Sequence, residues 1–267
     1  MTRPLPEYDN PPLEEVAFGV QFLPPGGYSS SQIGSYWGRI RDRYPLTEDT
    51  SPLVHQVELP GAKPTKGPEI VRFPFPLRTW FLTPDRTELI QVQADQFFRN
   101  WRRVEGAETY PRFPTLLQRF EHEWDGYRKF AAEEKLGELK IDQCELTYVN
   151  QMDKGDGWGD FFDLPKIFTV LSPTRPDGLL VKPEIVSWSA SYPLPEGRGR
   201  LRVDIAPGFR GRDLRMVASL SLTARGAPAG GNRDQLATWF ESAHERIVRT
   251  FTELTTPAMH DVWKRRK

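Results

Sequence analysis

Gln91, Gln93 and Asp95, followed by Asn100, Trp101 and Arg102, form a row rich in amide donors and acceptors. In an extended chain successive side chains point to opposite faces. That puts Gln91, Gln93 and Asp95 on one side and Ile90, Val92 and Ala94 on the other, facing a core. A plain solvated strand face usually carries Lys, Glu, Thr and Arg. An amide row instead pairs donors with acceptors and suits the orientation of a bound partner. Both readings fit the residues.

Tyr148 and Asn150, from a later strand-like run, are expected to complete a cleft or partner surface with this row. The chemistry open to such a site is acid–base. Asp95 would be the carboxylate base, Arg102 an anion clamp and Tyr148 a proton donor, since a carboxylate desolvated beside aromatics shifts toward its neutral form. No second carboxylate and no metal motif accompanies Asp95. Binding therefore ranks ahead of catalysis, no catalytic residue is nominated, and no cofactor is implied.

A second cluster is basic. Arg198, Arg200 and Arg202 alternate with Gly199, Leu201 and Val203, so three arginines share a strand face, and Arg210, Arg212 and Arg215 follow. Guanidinium forks suit phosphates and carboxylates alike. The face is either an anion site, for a nucleotide or nucleic acid, or a solvated strand balanced by Asp204 and Asp213. Lys+Arg 36 equals Asp+Glu 36, so no overall field favours nucleic acid or an anionic membrane.

Other chemistries find little support. His55, His122, His244 and His260 stand far apart, with no HxH or HExxH spacing, and His244 lies beside an apolar helix stripe as a packing residue. Asp153–Asp163 holds four aspartates, but not at the alternate positions of a calcium loop, so it reads as an acidic loop tied down by Trp158 and Phe161. The single cysteine, Cys144, rules out an internal disulfide and sits in a strand as a small buried thiol. Nucleophile-elbow, Walker A and dinucleotide glycine patterns are absent.

The elements that must position these residues follow from periodicity. Leu13–Leu23 alternates Val16, Phe18, Val20 and Phe22 on one face and predicts a strand. Ser29–Ser31 caps a helix to about Arg43, ended by Tyr44-Pro45. Leu53–Leu59 and Ile70–Phe75 read as short extended pieces around a Gly61–Pro68 loop. Thr79–Thr83, a Pro84–Thr87 turn and Glu88–Phe98 make a hairpin. A long helix runs from Thr115 to about Leu136, with Leu116, Phe120, Trp124, Tyr127 and Ala131 at helical spacing and Gly137 as its stop. Then come a strand at Leu139–Met152, a short helix at Leu164–Leu171, strands at Glu184–Tyr192, Arg200–Ile205 and Met216–Ala224, and a helix at Gln235–Thr255.

The order predicts an α+β fold of two pseudo-repeats, each strand, helix or loop, three strands and a long helix. Antiparallel strands would carry the helices on one face. The halves are 1–137 and 138–267, packed as one unit.

Pro11–Phe22 (PPLEEVAFGVQF), Leu89–Arg102 (LIQVQADQFFRNWR), Tyr110–Phe113 (YPRF), Cys144–Gln151 (CELTYVNQ) and Phe240–Trp263 together resemble a sporadically distributed bacterial family of uncharacterised proteins. The resemblance spans nearly the whole length and assigns no residue a role. Patchy distribution implies an accessory function, in defence or a specialised gene cluster. The expectation is a non-catalytic binding protein that engages a protein partner or a sister subunit. The alternatives are a small-molecule or nucleotide site around Asp95 and nucleic-acid binding through Arg198–Arg202. No stretch reaches the roughly 18 apolar residues of a membrane span, and MTRPLPEYDNPP lacks a signal-peptide apolar region, so a cytoplasmic protein is expected.

Overall fold

A computed structural model describes residues 4–24, 29–58, 78–155, 157–172, 183–195 and 198–266. The strands are β1 (Leu13–Phe22), β2 (Leu46–Thr50), β3 (Arg78–Leu82), β4 (Glu88–Gln93), β5 (Gln96–Arg102), β6 (Ile141–Asp153), β7 (Trp188–Pro193), β8 (Gly199–Phe209) and β9 (Met216–Gly226). The α-helices are α1 (Ser30–Ile40), α2 (Phe113–Glu133), α3 (Arg233–Leu254) and α4 (Pro257–Val262). All nine strands join one antiparallel sheet in the order β2-β3-β4-β5-β1-β6-β9-β8-β7. The fold is mixed α+β. Among the described residues no helix is long and apolar enough to cross a membrane.

One sheet face is apolar. Val16, Phe18, Val20 and Phe22 of β1 are all but inaccessible to solvent. In register beside them lie Trp101, Arg99 and Phe97 of β5 and Tyr148, Leu146 and Cys144 of β6. Helices cover this side. Phe18 meets Phe120 of α2 and Phe240 of α3 at ring separations of 5.7 and 5.3 Å, and Tyr36 of α1 meets Phe81 of β3 at 6.1 Å. Burying rings of this size removes the most apolar area per residue and gives the layer its cohesion. A single apolar cluster runs from Tyr8 to Trp263.

Local chemistry sets the helix ends. Asn232 Oδ1 accepts the Gln235 N–H at 2.9 Å at the start of α3. Pro114 occupies the first turn of α2, where its missing N–H costs nothing. That helix stops before Gly137. Lys135 takes the left-handed conformation at φ 56°, and the Leu136 N–H closes onto the Ala131 carbonyl at 2.9 Å.

Several expected elements differ. Glu88–Phe98 is not one strand: it turns at Ala94-Asp95 and returns as β5. Ile90 and Val92 face the core as expected, whereas Ala94 and Asp95 sit in the turn. The alternation ran on through the turn because Ala94 and Asp95 preserve the apolar–polar beat without extended backbone. β2 follows Pro45 directly, and 51–58 forms no strand. Leu164–Leu171 is replaced by a 3-10 helix at Phe161–Lys166, with Pro165 inside it. Gly61–Pro68 and Ile70–Phe75 lie outside the described residues.

Candidate functional site

The expected site residues divide between the two sheet faces. Gln91, Gln93 and Asn100 point away from the helices. Trp101, Tyr148 and Asn150 point toward them, because Trp101 and Tyr148 both flank Val16 on the apolar side of β1. A strand's period of two forbids Asn100 and Trp101 from sharing a face. The structure does not gather these residues into one cleft.

On the helix-free side the amides satisfy one another. Gln91 Oε1 accepts from Trp80 Nε1 at 3.0 Å and Arg78 Nη1 at 3.1 Å, and its Nε2 donates to Asn100 Oδ1 at 2.9 Å. Asn100 in turn donates to Glu15 Oε1. Burial raises the Glu15 carboxyl above its usual range, against the opposing pull of that Asn100 bond. Arg102 donates to the Arg86 carbonyl at 3.0 Å and lies over Trp80, so it is not placed as a clamp beside Asp95.

Gln93 belongs to a larger device. Gln93, Gln96, Gln21 and Gln143 stand in register across β4, β5, β1 and β6. Their carboxamides hold the backbone of 51–58, which crosses the sheet as a strap. Gln93 brackets Leu53, accepting its N–H at 2.8 Å and donating to its carbonyl at 2.9 Å. Gln21 accepts the Gln56 N–H at 2.9 Å and Gln143 the Glu58 N–H at 3.2 Å. His55 lies between Asp95 Oδ2 at 3.1 Å and Asp142 Oδ2 at 2.8 Å. Both ring nitrogens face carboxylates, so the imidazole is engaged with the sheet on either side. Asp95 is a strap anchor. Gln21, Gln96 and Gln143 were missed in the sequence, though Gln21 between Val20 and Phe22 is a lone amide inside an apolar run.

The arginine face is likewise engaged. Arg200 pairs with Glu58 of the strap, and Arg202 donates to Asp204 at 2.7 Å. Arg198 precedes β8 and lies outside the strand row. Arg210 forks onto Asp153 and Asp213, whose bonds hold the guanidinium above its ordinary range. Asp160 caps the 3-10 helix and Asp163 accepts the Gly159 N–H at 2.9 Å, so the described aspartates of that loop hold the chain itself. Among the described residues no three His, Cys, Asp or Glu side chains cluster as metal ligands. Cys144 is buried, and desolvation pushes its thiol up, away from nucleophilic use.

On the helical side a cleft of about 1160 Å³ opens between the N-terminal half of α2, α3 and the N-terminal segment Pro4–Tyr8. Tyr148, Asn150 and Leu222 line it from the sheet, Phe113 and Leu117 from α2, and His244, Ile247 and Phe251 from α3. A hydroxyl chain crosses the floor: Tyr110 Oη lies 3.1 Å from Tyr148 Oη, which lies 2.9 Å from His244 Nδ1. The His244 ring stacks on Phe113 at 4.0 Å, with the two planes nearly parallel. Burial pushes His244 down to about 4, outweighing the nearby Glu245, and Tyr110 up to about 12. At neutral pH the chain of groups is uncharged. Of the remaining histidines, His122 is exposed on α2 and His260 bonds Thr255 Oγ1 at 2.9 Å.

Asn150 donates to the Leu220 carbonyl at 3.3 Å beneath this cleft. Tyr148 and Asn150 therefore belong to a different site from Gln91 and Gln93. Charged groups edge it on both sides: Glu121 on α2, Glu241, Glu245 and Arg249 on α3, and Arg112 between β5 and α2. No protein-family model, curated protein or solved structure matches the chain.

Proposed function

We propose that the chain is a non-catalytic binding protein that takes a segment of a protein partner into the cleft between α2 and α3. The observation that carries the reading is the cleft's make-up, apolar side chains of α2 and α3 around a neutral hydrogen-bonded floor with charged groups of both signs at its edge, the arrangement of a protein interface. Its volume, about 1160 Å³, exceeds the ~300–1,000 Å³ usual for small-molecule sites, and a groove between helices suits an amphipathic segment. The polar groups on the floor bond to one another and stay neutral, so they orient a guest and have no proton-transfer role. The accessory role implied by the family resemblance belongs to the same proposal.

The two-halves reading supports a cleft on a central axis. β1 and β6 meet at the middle of the sheet, β5 and β9 flank them, and β4 and β8, then β3 and β7, follow outward. α2 follows β5 and α3 follows β9, and the cleft lies against both helices; among the described residues β2 has no counterpart.

The test is native mass spectrometry of the protein purified gently from its own host, beside Ala237→Arg, which places a cation on the cleft wall. A stoichiometric protein partner carried by the parent chain and lost from Ala237→Arg supports the proposal. A chain free of protein but carrying a small-molecule mass that Ala237→Arg loses would replace it with a ligand-carrier function.

A further inference from the structure

The two edges of the sheet differ in chemistry. The β2 edge, Leu46–Thr50, carries Glu48 and Asp49, and Glu48 is paired with Arg86. Charge on an edge strand deters pairing with other chains. The β7 edge, Trp188–Pro193, reads WSASYP and carries no charge. Ser189, Ser191 and Tyr192 are exposed. β7 pairs with β8 alone, and no backbone bond reaches its outer side among the described residues.

The phase of the ladder says which groups the edge offers. The Leu194 N–H bonds the Gly199 carbonyl at 2.9 Å, which makes these two a hydrogen-bonded pair. Such pairs alternate along an antiparallel ladder. Trp188, Ala190 and Tyr192, opposite Ile205, Val203 and Leu201, therefore turn their main-chain groups toward β8. Ser189 and Ser191 turn both N–H and C=O outward. Pro193, with no N–H, ends the offered stretch.

This stretch is self-complementary. We infer that β7 pairs with β7 of a second copy across a two-fold axis at Ala190, making one continuous sheet through two chains. An antiparallel partner centred there sets Ser189 opposite the other copy's Ser191 and Ser191 opposite its Ser189. The outward groups then exchange four backbone hydrogen bonds. Ala190 faces its own copy as a non-bonded pair, the closer kind, and Trp188 faces Tyr192 on the helix side at both ends. A two-fold interface needs one patch that complements itself, and W-S-A-S-Y reads almost alike in both directions.

The experiment joins mass measurement in solution with position-specific crosslinking. At the axis the two Ala190 Cα atoms would lie ~4.5 Å apart, within the reach of a disulfide. The native Cys144 is buried and does not compete. Ala190→Cys is expected to give a covalent dimer under mild oxidation, roughly tenfold faster than Ser189→Cys or Ser191→Cys, which do not face themselves. Ser191→Pro removes an outward N–H and leaves the bonds to β8, so the folded variant is expected to run as a monomer where the parent runs as a dimer. A parent chain that stays monomeric at high micromolar concentration, equal crosslinking at all three positions, or a dimer that survives Ser191→Pro would each overturn the inference.

Discussion

The ring of Phe98 fills the space where a side chain on Gly19 would begin: a Cβ there meets the ring at 2.1 Å. The two residues are directly opposite on β5 and β1, on the side away from the helices. Gly19 is required for room, since the aromatic ring packs flat on bare backbone in the middle of the sheet. Gly19→Ala is expected to cost about 1–3 kcal/mol of unfolding free energy, read from denaturant midpoints. Phe98→Leu in the same chain should return part of that loss. Purely additive effects of the two changes would show that the ring is not the obstacle.

His244 makes stability depend on acid. The unfolded chain takes up this proton near pH 6.5, the folded chain only near pH 4. Protonation therefore favours unfolding. The contribution is complete above pH 6.5 and is lost as the pH falls from about 6.5 to about 4. His244→Phe keeps the stack on Phe113 and removes the titration. Between pH 7 and pH 5 the parent should lose more stability than the variant, and the His244 ring signals in NMR should remain those of a neutral imidazole at pH 5.5. Ring signals that titrate near 6.5 would mean that the imidazole is solvated.

The strap is held by carboxamides, and amide exchange can resolve which ones. Leu53, Gln56 and Glu58 donate their N–H groups to Gln93, Gln21 and Gln143. Gln21→Ala is expected to speed exchange at Gln56 most. Gln93→Ala should speed it at Leu53 and cost about 1 kcal/mol overall, because a half-buried N–H and carbonyl lose their partners. His55→Ala removes the clasp to Asp95 and Asp142 and should make 51–58 a preferred site of limited proteolysis. Unchanged exchange at all three amides in all three variants would mean that the strap lies on the sheet without these bonds.

Much of the fold was legible residue by residue. Val16, Phe18, Val20 and Phe22 announced a core-facing strand, and the stripe Leu116, Phe120, Trp124, Tyr127 announced α2, because apolar periodicity records burial directly. Turns were less legible. Ala94-Asp95 kept the alternation of a strand while reversing the chain, and Lys135, two residues ahead of Gly137, already takes a positive φ after α2. The candidate site was legible only in its composition. The amides were recognised as unusual, but whether they met a partner or the chain itself depended on other strands and, for Gln93 and Asn100, on residues 40 or more positions away.

The sequence by itself determined the secondary-structure class, the apolar faces, the buried thiol and the balance of charge, since each depends on residue type and short-range spacing. Only the tertiary structure decided that Gln91 and Tyr148 serve opposite faces of one sheet. The same is true of His55 as the clasp between Asp95 and Asp142, and of Tyr148 meeting His244 from 96 positions away. Those pairings follow from strand order and register. The crossing of β1 against both β5 and β6 is what fixes them, and loop closure of that length leaves no mark on local sequence.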